Sequence, residues 1–325
     1  MEAAPLLEVE NLSVDVFGER GVGRAVDGIS FTVRRGEALG LIGESGSGKS
    51  LTCLTVMRLN PSPSTRVAGG MLRLDGNDLL RLGEDEMRSY RGRRIAMVLQ
   101  DPMAALNPVF RIGDQIGEAL ALHRGLRGAG QEKVALELLG RLRVPDPART
   151  LRSFPHQLSG GMRQRVVSAI ALAGQPELLI ADEPTTALDV TVQAAYLGLL
   201  RQLQRESSLA VLFVTHDLGA IARVCDRVAV MYGGRIVEVA DVGTVFRAPS
   251  HPYTQALLRS MPDVTRRSDR LDPIPGQPPS VFARKQGCPF APRCGEAMPR
   301  CVEEMPPERS AGPGQVVRCW ARGAA

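Results

Sequence analysis

Apolar residues along the chain recur in two rhythms. Short runs at Ala38–Ile42, Ile95–Leu99, Leu178–Ala181 and Val211–Thr215 each end at a glycine or a polar residue, as buried strands do. Leu51–Leu59, Arg163–Ala173 and Val192–Gln204 carry apolar positions at helical spacing instead. Strands alternating with helices predict an α/β fold with a mainly parallel sheet. Leu7–Val16 and Ile29–Val33 read as antiparallel strands, and Met231–Val237 as a late hairpin turning on Gly233-Gly234. Asp101 to about Ala173 is helical and lies between two of the strand-like runs, so an inserted helical subdomain is expected.

After Ser250 the pattern changes. Thirteen of the 23 prolines and four of the six cysteines lie from Pro249 onward, which predicts an irregular appendage rather than continuous helix or sheet. The expected organisation is a main domain over 1–255, with its core in 1–100 and 175–255 and helices in 101–174, followed by an appendage over 256–325. No internal repeat is visible.

Composition narrows the class. The 325 residues suffice for about two domains and a large core, and 44% hydrophobic with 23% charged residues excludes a disordered chain or a coiled coil. No run approaches the ~18 consecutive apolar residues of a membrane span. Met1 to Val9 has no basic segment followed by an apolar one, so a cytoplasmic protein is expected. The net charge of +5 comes almost wholly from scattered arginines, since Lys49, Lys133 and Lys285 are the only lysines. With 4% aromatic residues a base-stacking surface is not expected, and no nucleic acid partner is.

Gly43-Glu44-Ser45-Gly46-Ser47-Gly48-Lys49-Ser50 fits G-x-x-x-x-G-K-[ST] and sits between a strand-like run and a helical one. Such a loop turns its N–H groups toward phosphate oxygens at a helix N-terminus. Lys49 then reaches the β- and γ-phosphates of ATP, and Ser50 is a ligand of Mg²⁺. The strand-like run Leu178–Ala181 ends in two carboxylates: Asp182 is placed to hold Mg²⁺, and Glu183 to act as general base on the attacking water. Leu158-Ser159-Gly160-Gly161-Met162 opens a helix with a serine cap and forms a second anion-binding end.

Taken together, Leu158–Gly161, Leu178–Glu183, Gln100 and His216 resemble the nucleotide-binding subunits of ABC transporters over roughly Leu6 to Tyr253; that family usually has Gln where Met162 stands. The resemblance implies a P-loop fold with an N-terminal antiparallel β subdomain. It implies that Gln100 contacts Mg²⁺ or water, that His216 contacts the γ-phosphate, and that Asp189 lies in a loop crossing a dimer interface. It implies that Leu158–Met162 act in trans, across a head-to-tail pair with a second ATPase, a paralogue or another copy. The family also places an aromatic residue against adenine; Phe17 is the nearby candidate, with a plain packing role as the alternative.

Gln100–Pro108, His251–Leu258 and Ile274–Pro279 resemble the oligopeptide/dipeptide permease ATPases, a group that also includes nickel, glutathione and some sugar importers. The implied partners are two transmembrane permease subunits and, through them, an extracytoplasmic substrate-binding protein. The implied location is the cytoplasmic face of a bacterial inner membrane, with ATP hydrolysis powering uptake. Cys288, Cys294, Cys301 and Cys319, separated by five, six and seventeen residues, point to metal rather than disulfides. Four thiolates suit tetrahedral Zn²⁺, although the short pair spacing usual for zinc is absent. They equally suit a [4Fe–4S] cluster, which the resemblance favours. Cys53 and Cys225 read as buried apolar residues.

Overall fold

The computed structural model describes residues 4–261, 273–283 and 286–322, which divide into two compact units. The first unit takes in 33–38 and 74–214. Its strands Ile95–Val98, Leu178–Asp182 and Ala210–Thr215 are hydrogen-bonded side by side, with Leu178–Asp182 between the other two. The register is parallel throughout, Ile95 facing Leu178 and Leu178 facing Ala210. All five residues of Leu178–Asp182 are buried, as the continuous apolar run requires.

The expected helical insert belongs to the same unit. It comprises Pro102–Ala105, Ile112–Arg124, Gly128–Arg141, Pro147–Arg152 and Gly160–Leu172. Local chemistry sets the ends: Gly125 closes Ile112–Arg124 at φ 66°, and Asp146 caps Pro147–Arg152 with proline in its first turn. Ile112, Ile116, Leu120, Leu139 and Val166 bury the faces that hold these helices together.

The second unit comprises 8–32, 39–73 and 215–325. Gly21–Val33, Leu7–Gly18 and Thr65–Leu74 are hydrogen-bonded in that order. This unit also contributes strands to a sheet that pairs Ala38–Ile42 in parallel with Arg227–Tyr232, which turns back into Arg235–Asp241. Tyr232 faces Arg235 across the expected Gly-Gly turn, where Gly233 and Gly234 take φ 54° and 84°. Positive φ at both centres is what a two-residue hairpin needs.

The tail is tied into this sheet more closely than its proline content foretells. Arg309–Gly312 and Gln315–Val317 form a hairpin, and Gln315–Val317 pairs antiparallel with Arg235–Asp241. Glu238, 1% exposed, fixes the junction. Its carboxylate accepts from the Ser250 and His251 N–H groups and from Gln315 Nε2, each at 2.8 Å. Among the described residues no helix is long and apolar enough to cross a membrane.

Candidate functional site

The phosphate loop follows Ala38–Ile42 and opens the helix Lys49–Val56. Gly43, Gly46 and Gly48 take positive φ. Gly48 caps the helix at φ 104°, and a Cβ there would lie 2.6 Å from the Ala25 carbonyl oxygen, so only glycine closes this loop. No side chain caps the helix, which leaves its first turn to the loop. Lys49, 5% exposed, turns its ammonium back across the loop and donates to the Gly43 carbonyl at 2.7 Å and the Glu44 carbonyl at 3.0 Å. A buried cation held by carbonyls beside a glycine-rich turn attracts anions. Ser50, beside it, is exposed.

The other predicted catalytic residues divide between the units. In the first, Asp182 is buried at the end of its strand and Glu183 follows at φ 46°. Glu183 N–H donates to the Val214 carbonyl at 2.8 Å, which holds this unfavourable conformation. Its Oε2 accepts from Gln100 Nε2 and from Thr186 Oγ1, both at 3.0 Å. Gln100 and Glu183, 83 residues apart, are thus brought together. Thr186 was not expected; it sits three residues past Glu183, within reach of a side chain that turns back. His216 lies in the second unit, exposed, just after Ala210–Thr215.

Ser159 caps Gly160–Leu172, its Oγ accepting from Met162 N–H at 3.4 Å. Leu158 is buried, whereas Ser159 and Gly160 are exposed. Asp189 caps the next helix in the same way, its Oδ1 accepting from Val192 N–H at 2.9 Å. The two helix starts pack closely: a Cβ on Gly161 would lie 2.6 Å from Val192 Cγ1. The second glycine of Leu158–Met162 therefore reflects packing against the Asp189 helix.

A cavity of about 780 Å³ opens in the second unit and takes in Gly46 of the phosphate loop. Its walls include Asp15, Gly23, Arg24, Gly233 and Arg235, together with tail residues such as Pro279, Val281, Gly287 and Pro289. Its charges are paired: Arg24 with Asp15 at 2.5 Å and Arg235 with Asp27 at 2.6 Å. The volume is that of an ordinary small-molecule site. Phe17 is not among the lining residues; it is 36% exposed, with the Arg66 guanidinium 5.4 Å from its ring centroid.

Cys288, Cys294, Cys301 and Cys319 all line one small cavity, with Phe290, His251 and Trp320 beside them. Its volume is about 10 Å³, room for a single water at most. Among the described residues no three His, Cys, Asp or Glu side chains are gathered closely enough to hold a metal ion. The iron–sulfur expectation is corrected to this extent: the thiols converge, but an assembled metal cage is not formed. Burial pushes the Cys288 thiol up to about 11, and raises those of Cys294 and Cys319. None of the four forms a disulfide, and Cys53 and Cys225 are buried, as expected.

Comparison with known proteins agrees with this geometry. Residues 26–186 match the ABC transporter family, and residues 237–301 match the oligopeptide/dipeptide transporter C-terminal region. A probable peptide ABC transporter ATP-binding protein of Sinorhizobium fredii is 50% identical over 97% of this chain and 94% of its own. The dipeptide transport ATP-binding protein DppD of Escherichia coli is 46% identical over 97% of this chain and 96% of its own. Among solved structures, a dimeric ATP-binding cassette in a post-hydrolysis state bound to ADP and Pi superimposes with a TM-score of 0.65. It is 27% identical and covers 73% of this chain and 98% of its own. The chain belongs to the ATP-binding proteins of the ABC transporter family, in the branch that carries the oligopeptide/dipeptide transporter C-terminal region.

Proposed function

We propose that this chain is the ATP-hydrolysing subunit of a bacterial ABC importer of di- or oligopeptides. The observation that carries the reading is Glu183, a carboxylate at a strand end, held at φ 46° and clasped by Gln100 and Thr186. In this reading Gly43–Ser50 embrace the phosphates of ATP, and Lys49 exchanges its carbonyl partners for the β- and γ-phosphates. Ser50, Asp182 and Gln100 hold Mg²⁺. Glu183 takes a proton from the attacking water, and His216 contacts the γ-phosphate. Leu158–Met162, Ser159 and Gly161 foremost, face the ATP of a second cassette, and Asp189 lies at that interface. Phe17 is proposed for the adenine contact.

The partners are a second cassette, two transmembrane permease subunits and an extracytoplasmic binding protein, which places the chain at the cytoplasmic face of the inner membrane. The peptide substrate class rests on the likeness to peptide and dipeptide transport ATP-binding proteins. The four tail thiols are proposed as ligands of a [4Fe–4S] cluster, with zinc as the competing occupant. A four-thiol donor set suits either group, but the cavity of about 10 Å³ would have to widen to admit one; bound there, it would hold the four as thiolates and close a loop-rich segment.

The test is a pull-down of the tagged chain from detergent-solubilised membranes, with the bound proteins identified by mass spectrometry. Two permease subunits and a second ATPase are expected. Recovery of ribosomes or DNA, with no membrane protein, overturns the importer reading while leaving the ATPase chemistry intact.

A further inference from the structure

The phosphate loop carries an acid, Glu44. A carboxylate in a loop built to receive polyphosphate repels its ligand unless a cation neutralises it. The cation comes from the tail. Arg293 Nη1 donates to Glu44 Oε2 at 2.7 Å across 249 residues of sequence, and the Arg293 side chain is 7% exposed. The same guanidinium donates to Tyr232 Oη at 3.0 Å, to the Ile274 carbonyl at 3.1 Å and to the Pro275 carbonyl at 2.7 Å. It is thus locked in place before it meets Glu44. The Glu44 backbone is held as well: its N–H donates to Tyr253 Oη at 2.9 Å. Tyr232, Tyr253 and Phe290 pack together beneath, with ring centroids 4.5 to 5.3 Å apart.

We infer that Arg293 is a positioning residue of the nucleotide site, neutralising Glu44 and fixing the phosphate loop to the C-terminal tail, so that the folded tail sets affinity for ATP. The inference rests on the reading of Gly43–Ser50 as the ATP loop. It gives the tail a role in the ATPase reaction that does not depend on what its cysteines bind. It also assigns opposite signs to substitutions that a packing role would treat alike. Withdrawing Arg293 strands a negative charge beside the phosphates; removing that charge relieves the defect.

The experiment measures equilibrium MgATP affinity, and KM and kcat for ATP, on the full chain. Arg293→Met is expected to weaken ATP binding and raise KM about tenfold, the scale of a lost charge-assisted hydrogen bond, with a smaller change in kcat. Adding Glu44→Gln to that variant is expected to restore most of the affinity, and Arg293→Lys to retain most of it. The single tryptophan, Trp320, is the fold control. Its ring lies 3.6 Å from the Arg300 guanidinium and its Nε1 donates to the Glu304 carbonyl at 3.1 Å, so its emission reads the tail without touching Arg293.

If Arg293→Met loses that emission signature, Glu44→Asp against Glu44→Gln decides. The shorter acid keeps the charge but draws it back from Arg293, so Asp is expected to bind ATP more weakly than Gln. Equal affinities for Asp and Gln, or a double variant as weak as Arg293→Met alone, overturn the inference. Lys49→Ala separates the two levels: if ATP binding is indifferent to Lys49, the reading of the loop itself has failed.

Discussion

Gln100 Nε2 donates to Glu183 Oε2 at 3.0 Å, joining the end of one parallel strand to the end of its neighbour. Gln100 therefore positions the carboxylate proposed to activate water, and Thr186 shares that oxygen. Glu183→Gln keeps the shape and removes the base. MgATP binding is expected to persist while kcat falls by about 10²–10⁴, the usual share of a general base. Gln100→Ala leaves the base but frees it, and a fall in kcat of roughly fivefold to tenfold is expected, one hydrogen bond's worth. Steady-state ATP hydrolysis beside equilibrium binding measures both. Turnover near wild type in Glu183→Gln would remove the general-base assignment.

Gly161 separates packing from function. A Cβ there would meet Val192 Cγ1 at 2.6 Å, and Gly161 is not among the positive-φ glycines, so the conflict is with one side chain only. Gly161→Ala is expected to cost about 1–3 kcal/mol of stability, as overpacking does. Adding Val192→Ala should recover most of it. With the proposed trans role of Ser159 and Gly161, hydrolysis is expected to stay low in the stable double variant, because the backbone at 161 beside the partner's ATP no longer has a glycine's freedom. Thermal denaturation and ATPase assays on the three variants check this. Activity that returns together with stability would make Gly161 a packing residue alone.

The acid limb of stability is expected to run through Glu177. Its carboxylate accepts from Arg94 Nε at 2.5 Å and from Arg35 Nη1 at 2.7 Å, and these partners, Arg94 first, hold it below its ordinary value of 4.5. A depressed carboxylate gives its stability above the unfolded value, and loses it as pH falls through the folded one. Wild type is therefore expected to lose stability progressively below pH 4.5. Glu177→Gln should start less stable at neutral pH and show a flatter decline. Denaturant midpoints from pH about 6 to about 3 measure the slopes; parallel curves would show that the acid limb lies elsewhere.

How much of this was legible in sequence depends on how local each cause is. Gly43–Ser50 and the Gly233-Gly234 turn were legible because backbone conformation there is dictated by the residues themselves. Thr65–Leu74 was not read as a strand: Thr-Arg-Val-Ala-Gly-Gly has no alternation, and only pairing with Leu7–Gly18 makes it one. The tail hairpin escaped for the same reason, since Arg-Ser-Ala-Gly gains its strand character from Arg235–Asp241 through Gln315–Val317. Arg293 could not be seen at all, because its partner is 249 residues away and nothing in Ala-Pro-Arg-Cys signals it. Tyr253 was noticed as part of a resemblance, but its hydrogen bond to the phosphate loop was not.

The four tail thiols give the last prediction. Their cavity of about 10 Å³ is lined by Phe290, Pro306 and Trp320, and Phe290 packs against Tyr232 and Tyr253. Burial raises three of the thiols and keeps them protonated at neutral pH. A metal held by these four residues would take them as thiolates, and its binding energy would add to the folding energy of the segment. Protein purified anaerobically is expected to be brown, with about four irons per chain, four thiolates being the usual ligand set of such a cluster. Cys301→Ser should bleach it and alter Trp320 emission, while leaving the first unit, which has no tryptophan, folded. Colourless protein holding one zinc per chain would assign the same thiols to a tetrahedral site. Colourless protein with no metal, and emission unchanged by Cys301→Ser, would leave the segment to be held by the packing of Phe290 and the polar contacts of Glu238, Gln315 and Arg293.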